Sequence, residues 1–244
     1  MSFISPVPDK AGLIDAYAYP EGRTWLRANF VSTVDGAATG ANGLSASISP
    51  AVDRSVFALL RSLADVILVG AGTTRHEGYE PVRPDEVDGE LRESLGLAPL
   101  PQIAVVSASL DVPKPLVHRG STAAPTLVVT AGSAPAERVE SLREHCDVIV
   151  AGYDETDLAA VPAALSERGL NRILCEGGPS LFGALIEADV VDELCLTVAP
   201  RLAADGATRI SVGSQTVDRA LTLGHLLYED DVLLARYVRN RRTS

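Results

Sequence analysis

Several short runs in this chain are apolar at every position, and along the sequence they alternate with segments of helical periodicity. A strand with one wet face alternates apolar and polar residues, so a run such as Val66-Ile67-Leu68-Val69 can be a strand only if both of its faces are covered. The runs Arg27–Ser32, Val66–Val69, Ile103–Val106, Thr126–Thr130, Val148–Val150, Arg172–Cys175 and Glu193–Val198 are the predicted strands. Thr222–Tyr228 and Asp231–Val238 close the chain as a hairpin turning at Glu229-Asp230. Strand–helix–strand alternation implies parallel pairing, and the hairpin adds antiparallel strands. The expected fold is therefore three-layer α/β/α, with a mixed, mainly parallel sheet.

The intervening helices carry their own punctuation. Ser49 reads as an N-cap with Pro50 in the first helical position, and Val52, Val56, Leu59 and Leu63 form the inward face. On that wheel Arg61 lies opposite the Val52/Val56/Leu63 face, where a solvated arginine is expected. A second helix opens at Pro135 after Ser133 or Ala134, with Val139 and Leu142 inward; a third places Leu158, Val161 and Leu165 on one stripe and ends at Gly169. A fourth runs from Pro179 to Ala188. Gly78–Pro101 is polar and Pro- and Glu-rich, with at most one short helix around Glu90–Leu95, and reads as a surface excursion or part of a substrate lid. No segment has linker composition, so the 244 residues are expected to form one domain with its core at roughly residues 25–238.

Composition limits the partners. A net charge of −11 argues against nucleic acid, whose phosphates need a basic footprint, but leaves room for a phosphorylated small molecule in a local arginine pocket. No apolar run approaches the roughly 18 residues of a membrane span, and the first residues lack the pattern of a secretory signal. Cys146, Cys175 and Cys195 are widely separated and show no C-x-x-C spacing; the expectation is a soluble, cytoplasmic protein. His76, His118, His145 and His225 have no metal-ligand spacing, and no metal is expected.

Three motifs could carry chemistry. In Leu174-Cys175-Glu176-Gly177-Gly178-Pro179-Ser180-Leu181 a strand ends in an acid, and two glycines lead into a helix. A helix N-terminus has unpaired N–H groups and a partial positive charge, which suits a phosphate; the competing reading is a plain strand-to-helix turn. An exposed carboxylate at Glu176 would lie where α/β sheets bind ligands. In Val66–Arg75, Gly70 and Gly72 follow a strand, but Arg75 replaces the third glycine of a dinucleotide fingerprint, leaving a glycine turn with the hydroxyls of Thr73 and Thr74. Val34-Asp35-Gly36 is first of all a turn signal, and its carboxylate could equally orient or protonate a polar substrate.

Taken in order, and joined by Val191-Asp192-Glu193-Leu194 and Ala199-Pro200, these motifs resemble the reductase domain of the riboflavin-pathway deaminase–reductases over roughly Trp25 to Val238. The resemblance implies a dihydrofolate-reductase-like fold and a homodimer. It also implies NADPH-dependent reduction of 5-amino-6-(5-phosphoribosylamino)uracil by direct hydride transfer to the sugar C1′. The companion deaminase has no counterpart here, so a stand-alone reductase is expected. By the same resemblance Asp35 and Glu176 are the acidic groups beside the substrate. Ser45, Arg61, Glu77 and Arg83 belong to the substrate side, the arginines for the 5-phosphate. Val31, Ser47, Gly72, Thr73, Gly177, Gly178, Pro179, Ser180, Leu181 and Gly183 belong to the cofactor side; apart from the resemblance, Arg75 and Arg138 are basic residues that could take the 2′-phosphate. Two positions depart from the family: Asn29 stands where a lysine is common and Ser47 where a tryptophan is common. Both bear on the substrate, and two alternatives stay open: a dihydrofolate or pterin reductase, and a catalytically silent NADP-binding protein.

Overall fold

The computed structural model describes residues 4–117, 124–204 and 208–239; His118 lies outside them. Among the described residues ten strands form one sheet: β1 (Ile4–Pro6), β2 (Trp25–Thr33), β3 (Val66–Gly70), β4 (Gln102–Val106), β5 (Leu127–Thr130), β6 (Asp147–Val150), β7 (Arg172–Gly177), β8 (Glu193–Ala199), β9 (Thr222–Glu229) and β10 (Val232–Val238). Their order is β1-β9-β10-β8-β2-β7-β3-β4-β5-β6. Every pairing is parallel except those of β10, which runs against β8 and β9. The mixed, mainly parallel sheet with a closing hairpin is thus the one the sequence implied. The hairpin turns one residue later than expected, with Asp230 and Asp231 both at positive φ.

The all-apolar strands are covered on both faces. Val66 and Leu68 pack into one layer with Leu26, Phe30, Val161, Leu165, Leu181 and Leu185, the last four from α6 (Val161–Ser166) and α7 (Pro179–Glu187). Ile67 and Val69 point the other way, toward Val139 and Leu142 of α5 (Ala136–Arg143). Farther along that second face, α1 (Lys10–Ala16) and α2 (Ala51–Leu63) cover β7, β8 and the hairpin through Leu13, Val56, Leu60, Leu174, Cys195 and Leu234.

Two local expectations are corrected, two elements were not foreseen, and one segment proves more than a surface excursion. α2 begins at Ala51 with Pro50 as its cap, because the Ser49 hydroxyl donates to the Asp53 carboxylate instead of capping. The segment after β3 is not a glycine turn: α3 (Ala71–His76) starts directly at the strand's end. Both α1, capped by Asp9, and β1 escaped the sequence reading. Residues 78–101 hold the short helix foreseen, α4 (Gly89–Ser94), but they are no mere excursion. Arg92 of α4 is fully buried and donates to the carbonyls of Arg61, Ser62 and Ala64, closing the C-terminal end of α2.

Candidate functional site

The carboxyl ends of the neighbouring parallel strands β8, β2, β7 and β3 open on one edge of the sheet, the place where α/β proteins take ligands. A cleft of about 1850 Å³ lies there. One wall is α3 meeting the start of α7: Gly72 and Thr73 face Gly178 and Pro179. They approach so closely that a Cβ on Gly178 would lie 2.1 Å from the Thr73 hydroxyl. Gly178 caps α7 without any side-chain hydrogen bond, and a Cβ on Gly72 would meet nothing within 4 Å. This wall therefore combines free space, a hydroxyl and an uncapped helix start, the donor chemistry that suits nucleotide phosphates. The Gly177–Gly178 peptide is cis, and Gly177 has φ +93° with the Phe30 ring against its α-carbon.

The opposite wall belongs to α2 and to the segment after α3. Glu176 was expected to be exposed, but its side chain is 1% accessible. Glu176 shares a face of β7 with Leu174, the face that α2 covers, so its side chain meets α2 at the strand's end. There Arg61 grips it through Nε and Nη2, both at 2.8 Å, and the Tyr79 hydroxyl donates to it at 2.7 Å. Arg61 is accordingly no solvated arginine; it lies 4.4 Å over the Phe57 ring and also reaches Glu86 at 3.6 Å. Burial and the facing Glu176 charge push the Tyr79 hydroxyl well above its ordinary range, so it stays a donor.

Deeper in the cleft is a carboxylate that sequence reading missed. Asp53, in the first turn of α2, is buried and lines the cleft, with Ser49 donating to one oxygen and Thr197 of β8 to the other, both at 2.5 Å. Each oxygen keeps a lone pair for a further donor. In the sequence Asp53 looks like an ordinary first-turn acid favoured by the helix dipole, and only the bond from Thr197, far along the chain, reveals it.

Of the residues expected in the site, Val31, Ser45, Ser47, Arg61, Gly72, Thr73, Glu77, Arg83, Glu176, Gly178 and Pro179 all line this cleft. Five do not. Ser180 is exposed, Gly177 and Leu181 are packed beneath the wall, and Gly183 seats the carbonyl of Val212, 2.1 Å from where its Cβ would be. Asp35 lies two residues beyond the cleft-lining Thr33, with its carboxylate turned to the Thr33 hydroxyl and the amides of Ala203 and Ala204. Arg83 is held in an acidic loop by Glu80, Asp85 and Glu86. Ser45 donates its amide to Glu77 at 3.2 Å, tying two expected substrate-side residues together.

A cleft lined by a glycine-rich helix start, buried carboxylates and guanidinium groups at the carboxyl ends of parallel strands defines an α/β protein with a polar small-molecule pocket. The RibD C-terminal domain family matches residues 24–233, and the chain belongs to that family. The 2,5-diamino-6-ribosylamino-4(3H)-pyrimidinone 5′-phosphate reductase of Archaeoglobus fulgidus is 29% identical over 179 residues, covering 73% of this chain and 81% of that enzyme. The riboflavin biosynthesis protein RibD of Mycobacterium tuberculosis is 28% identical over 81% of this chain, which spans 48% of that longer protein. Among solved structures, a pyrimidine reductase-like protein of Corynebacterium diphtheriae superposes with a TM-score of 0.82 at 27% identity, over 94% of this chain and 98% of that one. Among the described residues no helix is long and apolar enough to cross a membrane.

Proposed function

We propose that the protein is an NADPH-dependent reductase of a 5′-phosphorylated 6-ribosylaminopyrimidine in riboflavin biosynthesis, reducing the ribosyl group to ribityl. One observation carries the reading: the glycine wall and the buried carboxylates line one cleft in a member of this family. Val31, Ser47, Gly72, Thr73, Gly178 and Pro179 would hold the cofactor, which supplies a hydride when bound. Arg75 and Arg138 both donate to the 109–111 loop; Arg75 is also paired with Asp111, so Arg138, which lines a smaller hollow there, is the residue we assign to the 2′-phosphate. The chain's own task is to fix the substrate and keep water from the reacting carbon.

Asp53 refines the substrate. A buried carboxylate with one lone pair left on each oxygen matches an amino group beside a ring N–H. The 2-amino-pyrimidinone in the names of the archaeal relatives offers that pair, whereas the uracil form first expected presents a carbonyl in place of the amino group. Glu176, fixed by Arg61 and Tyr79, forms a second rigid acceptor. The same 2-amino-4-oxo edge occurs in pterins, so Asp53 also favours dihydrofolate reduction as a second reading. NADPH absorbance followed with the diaminopyrimidinone phosphate, its uracil counterpart and dihydrofolate separates them. Turnover should be fastest with the first and fall at least tenfold in Asp53→Asn. Oxidation with dihydrofolate alone would reject the main reading.

A homodimer is part of the same proposal. The outer face of β8, β10, β9 and β1 carries Leu196, Leu233, Tyr228 and Ile4, three of them exposed, on the side away from α1 and α2. Two-fold pairing through such a face would cover it. Leu233→Glu should then convert dimer to monomer in sedimentation.

A further inference from the structure

Among the described residues four arginines line the cleft, and the structure divides them. Arg61 is committed to Glu176 and Glu86, and Arg83 to Glu80, Asp85 and Glu86. Arg54 and Arg201 have no carboxylate partner among the described residues. Arg54 already spends its Nη1 on the Ser49 carbonyl at 2.6 Å. Arg201 has its backbone fixed on both sides: its amide donates to Ala199, and its carbonyl accepts from Val34 at 3.0 Å. Immediately beyond, the Asp35 carboxylate accepts from the amides of Ala203 and Ala204 at 2.9–3.2 Å. Ala204 adopts a left-handed φ of +62°, a conformation that needs such holding. The turn that ends β2 and the segment that leaves β8 are thus laced together beside the cleft, and Leu202 and Ala203 line it next to Arg201.

We propose that Arg201 is the cation that receives a ligand phosphate in this cleft, and that Asp35 is the residue positioning it, not a proton donor. The carboxylate of Asp35 is engaged by three donors, and the Thr33 hydroxyl, followed by the Ala204 and Ala203 amides, holds it below its usual range. A group in that state gives up no proton near neutrality. Removing it frees the 201–204 turn and disperses the position of the guanidinium. The proposal rests on the reductase reading only for the two phosphate carriers it names, the substrate's ribose 5-phosphate end and the cofactor.

Calorimetric titration of NADPH and of ribose 5-phosphate into wild-type protein, Arg201→Gln, Asp35→Ala and the double variant tests it. Arg201→Gln should weaken one carrier about tenfold and leave the other within about twofold, which identifies the source of the phosphate. Asp35→Ala should weaken the same carrier, and the double variant should bind no worse than Arg201→Gln alone. Hydrogen exchange at the Ala203 and Ala204 amides should quicken in Asp35→Ala and not in Arg201→Gln. Unchanged binding in Arg201→Gln, or equal weakening of both carriers, overturns the assignment. So does an Asp35→Ala variant that binds normally but loses a limb of the pH–rate profile. Arg201-dependent phosphate binding without NADPH oxidation on any aminopyrimidine would sink the reductase reading and leave this proposal standing. A wild-type protein that binds neither carrier would overturn both.

Discussion

Replacing Gly178 by alanine probes the contact on which the cofactor wall depends. The added Cβ would lie 2.1 Å from Thr73 Oγ1, more than 1 Å inside an ordinary contact, yet 3.5 Å from Thr73 Cβ, which is an ordinary contact. Gly178 has φ −80°, so the backbone accepts alanine and the penalty comes from the hydroxyl alone. Thr73 must leave its rotamer or the two helices must part, which costs about 1–2 kcal/mol by comparison with overpacked cores and off-rotamer side chains. For a chain of this size that lowers Tm by roughly 2–8 °C. Thr73→Ala removes the offending atom, so Gly178→Ala placed in that background should cost under about 0.5 kcal/mol. Thermal denaturation of the four proteins closes the cycle, and NADPH fluorescence on the same samples reports the wall. Equal destabilisation by Gly178→Ala in both backgrounds would refute the geometry, because the clash would then not be with Thr73.

Two further outcomes concern buried charge. Arg61→Met strands Glu176 with Tyr79 as its remaining partner; losing one member of a nearly buried pair should cost about 3 kcal/mol, or roughly 6–12 °C in Tm, and Glu176→Gln in that background should recover part of it. His225 is depressed to about 4 by burial and then by the Arg236 charge, while its Nε2 has no hydrogen-bond partner among the described residues. Because the unfolded chain takes up the proton first, the stability His225 confers is present above about pH 6.5 and lost as pH falls toward 4. His225→Phe should flatten urea-measured stability across that window by on the order of 1–2 kcal/mol, discounted for partial exposure; an unchanged slope would refute it.

Much of this architecture was legible because burial on two faces leaves a mark in one dimension. Val66–Val69 and Leu174–Cys175 are apolar throughout since helices lie above and below them. The start of α3 was not legible, because Gly70 and Gly72 punctuate like a turn while Ala71 and Thr74 supply the buried side of a helix. Arg61 was misread for a different reason. A helical wheel knows only the core of its own helix, and the partner of Arg61 arrives 115 residues later at the end of β7. Asp53 was hidden likewise, since its second hydroxyl comes from β8, 144 residues away. Motif order located the cleft, but pairings made across the sheet decide which arginines in it are already occupied.

Crystals soaked with NADP and the diaminopyrimidinone phosphate offer the most direct check. Difference density should run along Gly72, Thr73, Gly178 and Pro179, with the pyrimidine amino edge against Asp53 in the same cleft. Dinucleotide density elsewhere on the molecule, with that wall empty, would contradict the whole reading of how the ends of β2, β3 and β7 combine.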